Sequence, residues 1–357
     1  MLFRITARKH GGSARRYYSG ERLALGDDID FWGNLGEAFG RDLTWNDANR
    51  LFLGKDPDSG RQLVWLHKGV HKSGWDMTFV APKSVSVLWG LAPEHIQDIV
   101  QAAHISAVKE ALSAFSPKAV RNNASLGRLL TGGYLFHHGM TRLRDPHLHT
   151  HVFLLNLAYA EELRPAKNTE EPRSGFRTLS VDYRWARVAR DLYLCSLAWN
   201  LVTQGVPVLR AETSFEIPGL EKLVKVFSQG KDLFEKQGLT PEEWQRYKQD
   251  KDLSRSFRRL QIEWVSRAIA VGFDPTPFFK AFLTTPVTKP GALSGSSVLL
   301  WKIRRVARIW SLVARSAIGT HSLDDVQKVA TDLEMEYRKI LLERREAQEQ
   351  GQLHVGH

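Results

Sequence analysis

The placement of the histidines constrains this chain more than any other feature. Five of its thirteen, His137, His138, His147, His149 and His151, fall within fifteen consecutive residues. In His147-Leu-His-Thr-His151 they recur at every second position, a period that an extended strand converts into one shared face and that a helix would scatter by about 100° per step. Asp145-Pro146 immediately ahead marks the strand entry. Arg128 to His138 and His147 to Tyr159 are rich in aromatic, Leu and Val residues, and the polar loop 139–146 between them predicts neighbouring antiparallel strands. In that hairpin Phe136 and His138 share a face, and His138 reaches the same point from across the pair. Three converging imidazoles make a divalent-metal site; such donors suit zinc, manganese, iron, nickel or copper, whereas magnesium favours oxygen. Spacing does not choose which three histidines serve, and a polar strand face or an adventitious nickel or zinc site is the competing reading. Three protein ligands leave coordination positions open, as a Lewis-acid centre gripping substrate oxygens requires.

Composition narrows the substrate. A chain of 357 residues, 43% hydrophobic and 25% charged, buries a substantial core and is neither disordered nor fibrous. Fifty Lys and Arg against 39 Asp and Glu give a formal charge of +11, which favours a polyanionic partner, nucleic acid ahead of an anionic membrane. A phosphodiester is then the natural oxygen ligand, its transition-state charge offset by the ion. The single cysteine, Cys195, excludes an internal disulfide framework and a multi-cysteine metal site, and fits a reducing compartment. Residues 1–12 lack the apolar run of a signal peptide, and no later stretch offers about 18 uncharged apolar residues. A cytoplasmic protein without a membrane span is expected.

Periodicity predicts a strand over Leu2–Ala7, a short helix over Ser13–Ser19, and β-rich runs at Asp76–Val80 and Ser84–Trp89 on either side of Ala81-Pro-Lys83. Pro93 opens a long amphipathic helix that runs to about Phe115. Beyond the histidine hairpin, 168–175 reads as a surface loop, Val181–Gln204 as a long helix and 218–272 as several shorter ones. Strands early and helices late is an α+β order. Four prolines between Phe273 and Ser297, with a Gly/Ser-rich end, interrupt regular structure. Three parts are expected: 1–275, a connection over 276–297, and a basic helical segment over 298–357. In the last, Val298–Arg315 is amphipathic, with no acid between 290 and 323. It either touches DNA or a partner or, the favoured reading, packs its apolar stripe on the main domain.

A nucleophile is needed beside the metal. Tyr17 and Tyr18 follow Arg15-Arg16, whose charges would hold a DNA backbone or favour the phenolate. Adjacent helical residues point about 100° apart, so one of the two faces a fixed metal at a time. Two aromatic side chains packing under a sheet is the equally weighted alternative. Asp76 is a third candidate, since a carboxylate beside a ligating histidine fixes its tautomer and can accept a phenol proton. Arg4, Lys9, Arg15, Arg16, Lys83, Arg142 and Arg144 lie near these motifs and are candidates for phosphate contact, with surface solvation the alternative for each. Of the eleven tryptophans, most are expected in the core, and Trp75, beside Asp76, is placed near the site.

Three blocks in this order resemble the MobF-type conjugative relaxases of the HUH endonuclease superfamily: Gly12-Ser-Ala-Arg-Arg-Tyr-Tyr18, Asp76-Met-Thr-Phe-Val-Ala-Pro-Lys-Ser-Val-Ser86, and Phe136-His-His followed by Pro146-His-Leu-His-Thr-His151. Weaker likeness continues through Phe176-Arg-Thr-Leu179, the helix 181–204 and Ser214–Leu220, to about residue 270. The resemblance implies a palm-like antiparallel sheet flanked by helices, with later helices closing over DNA as fingers. It selects His138, His149 and His151 as metal ligands, leaving His147 as a neighbour, and implies one divalent ion, magnesium, manganese or zinc. Tyr17 becomes the nucleophile, Tyr18 a second or substitute, and Asp76 the proton acceptor or anchor. The implied reaction is strand nicking at an origin of transfer by transesterification, with a 5′-phosphotyrosine link and later rejoining. Implied partners are single-stranded DNA with an adjacent hairpin, accessory relaxosome proteins, a coupling protein and a separate helicase, in a bacterial cytoplasm, with passage into the recipient alongside the DNA. Many members carry a second tyrosine pair, but 19–27 holds none, so closure is left to Tyr18, a second copy, or reversal at Tyr17. No G-x-x-x-x-G-K-[ST] loop is present, so unwinding is expected from elsewhere. A rolling-circle replication initiator shares this chemistry; a non-catalytic DNA-binding regulator and a three-histidine zinc hydrolase are readings from other classes.

Overall fold

The computed structural model describes residues 3–8, 29–64, 72–122, 128–141, 144–163, 173–228, 257–281 and 305–353. At its centre five antiparallel strands, β1 (Phe3–Arg8), β2 (Asp30–Gly33), β3 (Gly74–Val80), β4 (Gly132–Met140) and β5 (Pro146–Leu155), lie in the spatial order β1-β3-β5-β4-β2. The expected histidine hairpin is the pair β4–β5, with His138 opposite His149 and Phe136 opposite His151. On the other side of β5, Thr78 stands opposite His151 and Val80 opposite His149. Alternation sorts the side chains onto two faces. The front carries Asp76, Thr78, Tyr134, Phe136, His138, His149, His151 and Phe153; the back carries Trp75, Met77, Leu135, His137, Leu148, Thr150, Val152 and Leu154.

Each face closes a core of its own. Behind the sheet, α1 (Lys83–Leu91), α2 (Glu94–Ala119) and α3 (Ala186–Thr203) bury Met77, Leu135, Leu148, Val152 and Leu154 against Val108, Leu112, Leu192 and Leu197. In front, short helical turns between residues 35 and 51 lay Leu35, Leu51 and Phe52 on Tyr134, Phe136 and Phe153. Trp45 meets Tyr134 and Phe136 edge-on, each at 5.3 Å between ring centres, contacts that contribute about 0.5–1.5 kcal/mol each beyond the area buried. This smaller core spans the Tyr134–Phe153 end of the front face, and the histidines lie beyond it.

The order of strands then helices is the α+β arrangement expected, with local corrections. Ser84–Trp89, expected as a strand, lies inside α1. Residues 84–91 are all buried, so the helix has no polar face to reveal its 3.6-residue period, and Ser alternating with Val imitates a strand. The serine hydroxyls serve neighbouring backbone: Ser86 Oγ accepts from Leu148 N and Ser84 Oγ from Ile217 N, both at 3.0 Å. Gly90 leaves room for β5 to enter, because a Cβ there would stand 2.9 Å from the Pro146 side chain. The tail of the expected loop 168–175 contributes to a strand, β7 (Arg173–Arg177), which pairs with β6 (Ala158–Leu163). The helix expected from Val181 starts at Ala186, because Ser180–Val181 pair with Val120–Arg121 first. Past α4 (Glu221–Val226) and α5 (Phe257–Ala270), Pro275–Ala281 forms α6 within the expected break. Pro275 occupies its first position, where no N–H is needed. The predicted helix 13–19 lies outside the described residues.

The C-terminal helices α7 (Val306–Ala317) and α8 (Leu323–Leu353) share the rear core. The apolar stripe of α7, Ile309, Trp310, Val313, Ala314 and Ala317, is buried. On α3, Asp191 is fully buried; it accepts from Ser311 and pairs with Arg190 at 2.5 Å and Arg315 at 3.2 Å. Glu334 of α8 takes Lys118 at 3.1 Å and Trp310 Nε1 at 3.0 Å. Among the described residues no helix is long and apolar enough to cross a membrane.

Candidate active site

The front of the β3-β5-β4 triplet gathers the histidines because strand register leaves no alternative. His138, His149 and His151 have ring centres 5.0, 5.4 and 5.4 Å apart, and His147 adds a fourth ring 4.7 Å from His149. Three imidazoles bound through one nitrogen each to a common ion at about 2.1 Å stand about 5 Å apart centre to centre in a tetrahedral arrangement. The His138 and His149 planes are stacked at 21°, while His151 stands across them at 89° and 71°. Among the described residues no three donors are closed into a metal cage.

Hydrogen bonds decide which nitrogen each ring offers. His151 Nδ1 lies 3.0 Å from Asp76 Oδ1 and 3.3 Å from Thr78 Oγ1. An ionised carboxylate only accepts, so Nδ1 carries the proton and Nε2 the lone pair. In His149, Nδ1–H donates to the His147 carbonyl at 2.8 Å, which again leaves Nε2 as the base. Burial, helped by the surrounding imidazoles, holds His149 well below its ordinary pKa, and burial with the Lys83 charge brings His147 down to about 4. Both effects favour the neutral ring, the form that binds a cation.

The entry to β5 is clamped from two helices. Arg144 holds a left-handed φ of 61°, unusual without glycine. The turn supports it: Arg144 N donates to Thr141 O at 3.0 Å, Thr141 N to Asp145 O at 2.9 Å, and Trp264 Nε1 to Arg144 O at 2.6 Å. Arg267 reaches Asp145 Oδ1 at 3.0 Å, and Lys83 Nζ donates to Pro146 O at 2.8 Å. Burial lowers the Lys83 ammonium to about 8. Sequence reading missed Thr141, Trp264 and Arg267; the two on α5 lie more than a hundred residues from the turn they hold, and no local pattern signals the contact.

The expected site residues divide as follows. His138, His149, His151 and Asp76 come together. Arg4 is exposed and stands opposite Thr78 on the same face, two strands from His151. Lys83 is turned inward on the β5 entry, with Arg144 beside it. Trp75, expected near the site, points to the back: it is 1% exposed, and its Nε1 donates to the Tyr183 hydroxyl at 3.1 Å. The reason is parity, since neighbours on a strand face opposite ways. Tyr17, Tyr18, Lys9, Arg15, Arg16 and Arg142 lie outside the described residues.

An antiparallel palm bearing a histidine cluster, backed by helices, is a fold shared with solved relaxases. The conjugative relaxase TrwC, in a copper-bound complex with oriT DNA, superposes with a TM-score of 0.59 at 23% identity, covering 76% of this chain and 99% of that one. TrwC with a 27-mer DNA comprising the recognition hairpin and the cleavage site gives 0.55 at 22%, with the same coverage. The multifunctional conjugation protein TraI of Escherichia coli is 31% identical over 180 residues, 47% of this chain. The chain spans about a tenth of the length of that relative. The TrwC relaxase family model matches residues 6–271, and the chain belongs to that family.

Proposed function

We propose that this protein is a conjugative relaxase, a transesterase that nicks one DNA strand at an origin of transfer and later rejoins it. The observation that carries the reading is the registered trio His138, His149 and His151, with His151 tied to Asp76 at 3.0 Å, in a member of the TrwC relaxase family. These three rings would hold one divalent ion, which when bound supplies a Lewis acid toward a phosphodiester oxygen. Nitrogen donors favour manganese or zinc over magnesium. Asp76 fixes the His151 tautomer, and the short contact supports an anchoring role for it ahead of a proton-accepting one. The Tyr17 phenolic oxygen attacks phosphorus and loses its proton; the 3′ oxygen leaves and gains one; the 5′ phosphate stays on Tyr17. One phosphodiester replaces another, so the step needs no ATP and runs in both directions. Arg4, exposed on the face of the histidines, is the described cation best placed to meet a DNA phosphate. Single-stranded DNA with a neighbouring hairpin is the substrate, and accessory relaxosome proteins, a coupling protein and a separate helicase are the further partners.

The test uses an oligonucleotide drawn from the inverted repeat and candidate nick flanking the gene, incubated with the purified chain and Mn²⁺. A covalent adduct on a denaturing gel is expected, absent with chelator and in Tyr17→Phe, and retained in Tyr18→Phe. Failure of the wild type to form any adduct overturns the reading; loss in Tyr18→Phe alone moves the nucleophile to Tyr18.

A further inference from the structure

A polar chain runs behind β5 that the proposed reaction leaves unused. Thr150 lies between His149 and His151, and its fully buried side chain points to the opposite face. Its Oγ1 is 2.8 Å from His104 Nε2 on α2 and 2.8 Å from His137 Nδ1 on β4. His104, itself fully buried, places Nδ1 2.7 Å from the Tyr193 hydroxyl on α3. At the other end His137 Nε2 stands 3.8 Å from Asp30 Oδ2, an ion-pair separation rather than a hydrogen bond, and Lys109 meets the same carboxylate at 2.8 Å.

The donors and acceptors of this chain fit one consistent assignment. His137 turns Nε2–H toward the Asp30 carboxylate, so its Nδ1 lone pair accepts the Thr150 hydroxyl proton. The Thr150 oxygen accepts from His104 Nε2–H, and His104 Nδ1 accepts from the Tyr193 hydroxyl. Burial holds His104 well below its ordinary pKa, consistent with a neutral ring. The neighbours of Thr150 on this face, Leu148, Val152 and Leu154, are apolar and buried. Thr150, His104 and Tyr193 have their polar atoms paired, while His137 Nε2 is buried without a hydrogen bond; such a network costs stability relative to apolar residues of the same shape and in return pins its elements to one arrangement. Here β4, β5, α2 and α3 meet in one chain of hydrogen bonds. Because successive strand residues share a pleat, fixing Thr150 on the back also fixes the two residues beside it on the front.

We propose that Thr150, held between His104 and His137, is a positioning residue that sets the pleat of β5 so that His149 and His151 present their ring nitrogens to one cation. The inference rests on the metal reading above. It is tested with Co²⁺ alone, titrated into the full chain and followed by visible absorption, with circular dichroism and urea unfolding run in parallel. Thr150→Val, measured where it is folded, is expected to bind Co²⁺ about 10- to 100-fold more weakly with an altered absorption band. Thr150→Ser, which keeps the hydroxyl, restores both. The combined variant His104→Leu, His137→Leu, Thr150→Val, an apolar replacement of the network, regains stability but not affinity. A merely structural network predicts the reverse, wild-type Co²⁺ binding in that combined variant, and this result overturns the proposal. Should Thr150→Val not fold, Tyr193→Phe carries the test by removing only the outermost hydroxyl. About two- to tenfold weaker Co²⁺ binding is then expected, and unchanged binding overturns the proposal. If the wild type takes up no Co²⁺, the metal reading falls and this inference with it; if the wild type binds and Thr150→Val binds equally, only this inference falls.

Discussion

On the front of β5, His149 and His151 are half-buried, while on the back Leu148, Thr150, Val152 and Leu154 are sealed under the helices. The same ten-residue strand thus presents ring nitrogens on one side and contributes core packing on the other. The difference teaches how a fold can hold a polar cluster in place: side chains left half-buried gain little from burial themselves, so contacts on the sealed face fix their position. A slip of one residue would exchange the two faces. The clamp on the Asp145-Pro146 entry and the hydrogen bonds of Thr150 both oppose that slip.

Three experiments would break or sharpen this contrast. Leu154→Ala removes packing from the sealed face and is expected to lower stability by about 2–5 kcal/mol in urea unfolding, with Co²⁺ affinity of the folded protein unchanged. A loss of affinity matching the loss of stability would mean that packing in general, and not the hydrogen bonds of Thr150, sets the geometry of the histidine face. Asp76→Asn acts on the histidine face: about 10- to 100-fold weaker Co²⁺ binding is expected, with stability changed by no more than about 1 kcal/mol. Unchanged affinity would show that the carboxylate does not orient His151. The smallest effect falls at the rim of the front core, where the Arg41 guanidinium holds the Asp47 carboxyl below its ordinary value of 3.8, assisted by the Thr44 backbone. A depressed carboxyl contributes stability that is present above pH 3.8 and lost as pH falls through its folded value. Wild type is therefore expected to exceed Asp47→Asn in urea midpoint at neutral pH, with the gap closing below pH 3.8. A gap that persists into strong acid would assign the difference to packing.

Legibility in the sequence followed the range of the interaction. The hairpin at 128–159, the long helices near 94–119 and 186–203, and the sharing of one face by His138, His147, His149 and His151 were readable, because they rest on local period and short turns. The helix at Lys83–Leu91 was not, since a helix buried on every side shows no periodicity. Nor was the placement of Trp75, because an apolar residue beside Asp76 reads as a neighbour until the strand's parity is known. By itself the sequence determined a strand face lined with histidines, a net charge of +11, and an α+β order. Only the tertiary structure decided that Trp264 and Arg267 clamp the turn before β5, and that His104 reaches Thr150 from behind. Those partners are brought together by strand pairing and helix packing across 46 to 122 residues of chain, and a local pattern carries no record of such distances.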